Sequence, residues 1–181
     1  IILDWRYFCR RYLFDAYGGE PLMQEKLIPF LKEIKKRGYE IKLDVTGNYL
    51  DRLKEIVDAK LVDYIAMDVK NTKGKYALTV GSESENFPVE SIDACISYIR
   101  TCGIPYEFRT TIVRELHTKE DLIAMAKWLK GVDAWYLQQF QDSPNCIQEG
   151  FHSCNKQEML EILEAVKQYV PNAEVRGIKE D

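Results

Sequence analysis

Apolar residues recur along this chain with two alternating periods. Leu27, Phe30, Leu31 and Ile34 follow the three-and-four spacing of a helix over 23–37, and Gly38 stops it. Glu40-Ile41-Lys42-Leu43-Asp44 then switches to period two, the mark of a half-buried strand. Asn48 is placed to cap the next helix, which carries Leu50, Leu53, Ile56 and Val57. Val62 to Val69 is a nearly unbroken apolar run, as in a strand covered on both faces. After a looser stretch over 71–88, a helix is predicted over about 89–102, and Gly103-Ile104-Pro105 turns into a strand from Tyr106 to Val113. Thr118 with Asp121 reads as a capping box for a helix ending near Lys130 and stopped by Gly131. Trp135 to Phe140 is another strand. Asn155 with Glu158 caps a last helix to about Tyr169, and Ala173 to Arg176 is a short final strand. At the other end, Tyr12 to Tyr17 reads as a strand that runs into two glycines.

Strand–helix units of this kind predict an α/β fold built on a parallel sheet, open or curled toward a barrel. No low-complexity stretch or linker divides the 181 residues, so one domain over 1–181 is expected. The composition is 46% hydrophobic, enough for a sizeable core, and no apolar run approaches the roughly 20 residues of a membrane span. A net charge of −4 speaks against general nucleic-acid binding, which calls for a basic stripe. Five cysteines with no secretory context point to reduced thiols and a cytoplasmic location.

In a parallel sheet, ligands gather beyond the carboxyl ends of the strands. Here those ends carry Gly18-Gly19-Glu20-Pro21, Asp44-Val45-Thr46-Gly47, Asp68-Val69-Lys70-Asn71, Arg109-Thr110-Thr111 and Gln138-Gln139-Phe140. The two glycines allow close backbone approach to a ligand, Glu20 adds a carboxylate, and Pro21 stiffens the turn. A plain strand-to-helix loop is the competing reading of that segment. Asp68 and Lys70, two apart, share a face of an extended chain. They form either a structural ion pair or, with Asp44, a set suited to a ligand with hydroxyls and a carboxylate. Other candidates are weaker. His117 reads as a solvated loop histidine. Cys146, His152 and Cys154 match no zinc spacing, Cys95 and Cys102 read as core packing, and Cys9 stands alone. Lys32 to Arg37 is a solvated helix face.

Taken in order, these segments resemble the radical S-adenosylmethionine superfamily. They are most similar to activating enzymes of the anaerobic ribonucleoside-triphosphate reductase type, with pyruvate formate-lyase activating enzyme more distant. Tyr17 to Gln24 resembles the GGEP motif that holds the methionine amino group. Lys42 to Gly47 resembles the strand end whose Asp44 sits by the ribose, with Val45 and Thr46 departing from the usual residues. Ala66 to Lys70 resembles the Asp-x-Lys element that meets the ribose and the methionine carboxylate. Tyr106 to Thr111 with Leu116-His117-Thr118 is typical of the reductase-activating type, and Leu137 to Phe140 lies where relatives contact adenine. The resemblance implies an incomplete TIM-type (β/α) barrel, and S-adenosylmethionine held by Gly18, Gly19, Glu20, Pro21, Asp44, Thr46, Asp68, Lys70, Arg109 and Gln139. It also implies a glycyl-radical enzyme as partner.

The family's Cys-x3-Cys-x2-Cys loop, which ligates a [4Fe–4S] cluster, does not occur in this sequence. The chain is therefore expected to lack the first strand and cluster loop, to bind no metal, and to do no radical chemistry by itself. Two other functions remain open: a cluster-free ligand- or partner-binding protein on the same fold, and an unrelated barrel enzyme using Lys70 as a Schiff-base nucleophile. The motif order disfavours the last.

Overall fold

A computed structural model describes residues 13–16, 19–82, 87–142 and 150–178. Its elements in chain order are β1 (Leu13–Ala16), a 3-10 turn (Pro21–Met23), α1 (Leu27–Lys36), β2 (Glu40–Val45), α2 (Leu50–Asp58) and β3 (Tyr64–Asp68). A second 3-10 turn (Lys73–Lys75) leads into α3 (Tyr76–Thr79), then α4 (Val89–Ile99), β4 (Tyr106–Ile112), α5 (Lys119–Trp128), β5 (Trp135–Gln139), α6 (Lys156–Lys167) and β6 (Ala173–Arg176). Strand–helix alternation is thus as the periodicity predicts.

The differences are local. The helix expected over 23–37 starts later: a 3-10 turn covers Pro21–Met23, and α1 begins only at Leu27. Asn48 does not cap α2: Tyr49 occupies the cap position with no side-chain bond, and the Asn48 amide donates instead to Thr46 Oγ1 at 3.1 Å. The loose stretch contains the short helix α3, anchored by Tyr76, whose ring stacks on Phe87.

Backbone contacts divide the chain into two compact units, one of residues 1–68 and 90–107, the other of residues 69–89 and 108–181. In the first, β1, β2 and β3 pair in parallel, with Leu13 beside Glu40 and Lys42 beside Tyr64. β2 alternates strictly: Ile41, Leu43 and Val45 are buried, whereas Glu40, Lys42 and Asp44 are not. The buried set joins Leu31 of α1, Leu53 and Ile56 of α2, Ile65 and Met67 of β3, and Ile92, Ile96 and Ile99 of α4 in the core. Asp63 ties the entry of this unit together, accepting from the Ile41 amide at 2.6 Å and pairing with Lys35 of α1.

In the second unit β4, β5 and β6 are again parallel, with Phe108 beside Trp135 and Trp135 beside Ala173. Their buried residues share the core with Leu122 and Met125 of α5, Leu129 just past its end, and Met159 and Val166 of α6. Both predicted capping boxes are present, Thr118 with Asp121 and Asn155 with Glu158. Asp121 does more than cap. Its Oδ2 accepts from the Thr118 amide at 2.8 Å and from the Lys75 ammonium at 2.6 Å.

Burial works against the charged Asp121 carboxylate, but the Lys75 and Thr118 donors outweigh it and hold its pKa below the usual 3.8. A folded-state value below the unfolded one stabilises the fold in full above about pH 4, and the gain is lost as pH falls through the folded value. Asp121→Asn is therefore expected to lower stability by about 1–2 kcal/mol at pH 7. Urea unfolding should show that gap closing toward pH 3; a gap independent of pH would mean the charge is not the cause.

Candidate functional site

Parallel pairing brings the carboxyl ends of the strands together within each unit. In the first, Asp44 lies beside Ala66 and Val45 beside Met67, so β2 and β3 end side by side. The glycine turn is fastened to that end by Glu20. Its Oε1 accepts from the Leu22 amide at 3.0 Å, capping the 3-10 turn in which Pro21 is buried. Its Oε2 accepts from the Thr46 amide at 2.8 Å and from the Thr46 hydroxyl. Glu20 therefore shapes the turn, and a carboxylate with about four acceptor positions keeps one more for a ligand N–H. Gly19 has φ of +83°, and nothing lies within 4 Å of where a Cβ would stand. This leaves the Gly19 backbone open to close approach. Gly18 lies outside the described residues.

The polar face of β2 carries a charged network that single-motif reading passes over. Lys42 Nζ lies 3.3 Å from Asp44 Oδ1 and 4.0 Å from Glu107 Oε1, and the Tyr64 hydroxyl donates to Glu107 at 3.3 Å. Glu107 is 4% exposed. A signal for it existed in the sequence, since Glu40, Lys42 and Asp44 occupy every second position of a strand whose other face is apolar. Placing a lysine against two carboxylates lowers the cost of burying any of them.

In the second unit the register sets Thr111 beside Gln138 and Ile112 beside Gln139. The Val69 amide donates to the Arg109 carbonyl at 2.8 Å, which aligns the Val69-Lys70-Asn71 segment with β4. The Thr110 hydroxyl donates to the Val69 carbonyl at 2.7 Å and accepts from Trp135 Nε1 at 3.0 Å. Gln139 Nε2 donates to the Cys154 carbonyl at 2.7 Å, and Phe140 meets Phe151 edge-on.

His117 corrects an expectation. It is 5% exposed rather than solvated, and its ring bridges Val113 and the Lys70 carbonyl. A lone histidine in a polar loop carries no sequence signal of burial; tertiary contact alone decides it. His152 is exposed and pairs with Glu115 at 2.7 Å.

No protein-family model matches the chain. A Methanocaldococcus jannaschii protein named as a glycyl-radical enzyme activating enzyme is 31% identical over 170 residues, spanning 89% of this chain and 69% of that protein. A solved domain of pyruvate-formate lyase-activating enzyme from Bacteroides vulgatus superposes with a TM-score of 0.72 at 18% identity, covering 90% of this chain and 98% of that domain. Streptococcus suis SuiB bound to S-adenosylmethionine superposes with a TM-score of 0.67 at 12% identity, covering 91% of this chain and 39% of that one. The architecture is thus the parallel α/β fold of an incomplete TIM-type barrel. The chain belongs to the glycyl-radical enzyme activating enzymes.

The motif resemblance noted in the sequence implies S-adenosylmethionine and an iron–sulfur cluster. The open approach at Gly19 and the acidic strand end at Asp44 fit the nucleoside-bearing ligand. The described residues do not fit the cluster. Cys95 is buried inside α4, where burial first and the Glu20 charge second push its thiol up to about 12. Cys154, likewise buried, is raised for the same leading reason, and a raised thiol is a poor source of ligating thiolate. Among the described residues no three His, Cys, Asp or Glu side chains are grouped to hold a metal ion. Cys9 and Cys146 lie outside them.

Proposed function

We propose that this chain carries the S-adenosylmethionine-binding part of an activase that generates a glycyl radical on anaerobic ribonucleotide reductase or a related glycyl-radical enzyme. In this reading Gly18, Gly19, Glu20 and Pro21 receive the methionine amino group. Asp44 and Asp68 take the ribose hydroxyls, Lys70 pairs with the methionine carboxylate, and Thr46, Arg109 and Gln139 complete the contacts. The observation that carries it is the glycine turn: Glu20 draws it onto the end of β2 and leaves Gly19 open to a ligand. The M. jannaschii relative, alike over 89% of the chain, supports the activase class.

A cluster-free binding protein on the same fold is the second reading, favoured by the lack of grouped metal ligands among the described residues. The activase reading, and the second reading where its ligand is the same, put S-adenosylmethionine on these residues, so binding is the first thing to measure. Charge-assisted hydrogen bonds contribute roughly 1.5–3 kcal/mol each, and the cost of ordering the ligand offsets several of them. Without metal bonds the affinity is expected in the high-micromolar to millimolar range, about −4 to −6 kcal/mol. Ligand-observed NMR titration should show Asp68→Ala and Lys70→Ala each weakening binding by about tenfold. Wild-type binding unchanged by both substitutions would reject the assignment. Co-purification with a glycyl-radical enzyme, or radical formation on one in the presence of a reductant, would separate the activase from the plain binding protein.

A further inference from the structure

His117 makes three polar contacts from a buried position in the turn after β4. Nδ1 lies 3.1 Å from the Val113 amide nitrogen and 3.2 Å from the Val113 carbonyl oxygen, while Nε2 lies 2.8 Å from the Lys70 carbonyl oxygen. The Lys70 carbonyl can only accept, so Nε2 carries the proton. The Val113 carbonyl already receives the Leu116 and His117 amides at 3.1 and 3.0 Å. Nδ1 is then left to accept from the Val113 amide, which needs an acceptor. The network assigns a neutral imidazole protonated on Nε2.

The backbone on both sides of Lys70 is held independently. Val69 is bonded through its amide to Arg109 and through its carbonyl to Thr110. Asn71 is fully buried, and its Nδ2 donates to the Leu116 carbonyl at 2.9 Å and to Thr79 Oγ1 at 2.8 Å. Asn71 thus already ties this segment to the turn after β4. A second tie would be redundant for holding the loop, yet it falls on the Lys70 peptide itself. Fixing that carbonyl limits the ψ of Lys70 and with it the base from which the side chain extends. A charge pair with a planar carboxylate is sensitive to such aim, because ångström-scale misplacement forfeits the hydrogen bond.

We infer that His117 is a positioning residue that aims Lys70 at the carboxylate of the ligand. The inference rests on the assignment of Lys70 to the methionine carboxylate, and its test keeps the two separable. The ligands are S-adenosylmethionine and its decarboxylated analogue, titrated against the full chain as wild type, His117→Ala, His117→Gln, Lys70→Ala and the His117→Ala/Lys70→Ala double variant. His117→Ala should weaken S-adenosylmethionine about tenfold and the decarboxylated analogue less than twofold. The effect should vanish in the Lys70→Ala background. His117→Gln, which keeps an N–H donor near the ε position, should recover binding to within about threefold of wild type. In isotope-labelled protein, the ring 15N shifts should report a proton on Nε2, and the Lys70 carbonyl 13C shift should move in His117→Ala. Equal weakening of both ligands, the same loss with Lys70 already removed, or a proton on Nδ1 would each overturn the inference. If Lys70→Ala binds both ligands as wild type does while the Lys70 13C shift still responds to His117→Ala, the carboxylate assignment falls and takes the positioning role with it, leaving a backbone clamp.

Discussion

Replacing Trp135 by alanine is expected to destabilise the chain by about 3–5 kcal/mol, within the range for emptying a large aromatic site. Trp135 is fully buried at the start of β5, opposite Phe108 in the parallel register. Its loss removes dispersion contacts that the surroundings cannot rebuild without moving β4 and β6, both of which pair with it. The indole also supplies a donor. Its N–H reaches Thr110 Oγ1, whose own proton goes to the Val69 carbonyl. Trp135→Phe keeps most of the volume and removes that donor, so a loss nearer 1–2 kcal/mol is expected. Total stabilities of roughly 5–15 kcal/mol leave the alanine variant close to unfolding at ambient temperature. Urea titrations followed by far-UV circular dichroism should rank wild type above Phe above Ala with a common slope. A loss below about 1.5 kcal/mol for the alanine variant would mean that the site collapses cheaply.

Gly47→Ala is expected to cost about 2–4 kcal/mol, from two separable sources. Its φ of +91° is a backbone conformation that L side chains rarely adopt. An added Cβ would also come within 2.3 Å of Met67 Cε and 3.3 Å of Ile92 Cδ1. Met67 is fully buried on β3, so its methyl has little room to withdraw. Left-handed backbone alone accounts for about 1–2 kcal/mol and crowding for the rest. Met67→Ala removes the obstructing methyl, at the cost of a core cavity of its own. In a double-mutant cycle, Gly47→Ala should be about 1–2 kcal/mol milder in the Met67→Ala background. Strict additivity would show that backbone strain carries the whole effect. The glycine ends a stretch that sequence reading treats as a ligand motif; its conformation and its neighbours are also demanded by packing.

Much of this was legible in advance because it depends on neighbours along the chain. Capping at Thr118 and Asn155 needs a side chain and an amide three residues apart, so the spacing alone locates both helix starts. The alternation of β2 follows from the geometry of an extended chain, and the parallel order of the strands from the helices between them. Asn48 shows where such reasoning misleads. Its amide had a partner at Thr46 as well as at the coming helix, and the turn held by Glu20 settled which it took. Glu20 shows the same limit from the functional side. Its place in the GGEP motif marks it for the ligand, yet three protein donors already reach its carboxylate.

What the sequence determined by itself is the α/β class, the sites of most helix and strand ends, and the strand-end positions of the family's motifs. Each of these rests on short-range periodicity or on a local hydrogen bond. Tertiary structure alone decided the Lys42–Asp44–Glu107 network, the Trp135–Thr110–Val69 relay and the His117 contact with Lys70. All three join residues from different strands or loops, and 47 positions separate His117 from Lys70. A buried polar group takes whichever partner the packed chain brings within about 3 Å, and no local pattern encodes that choice.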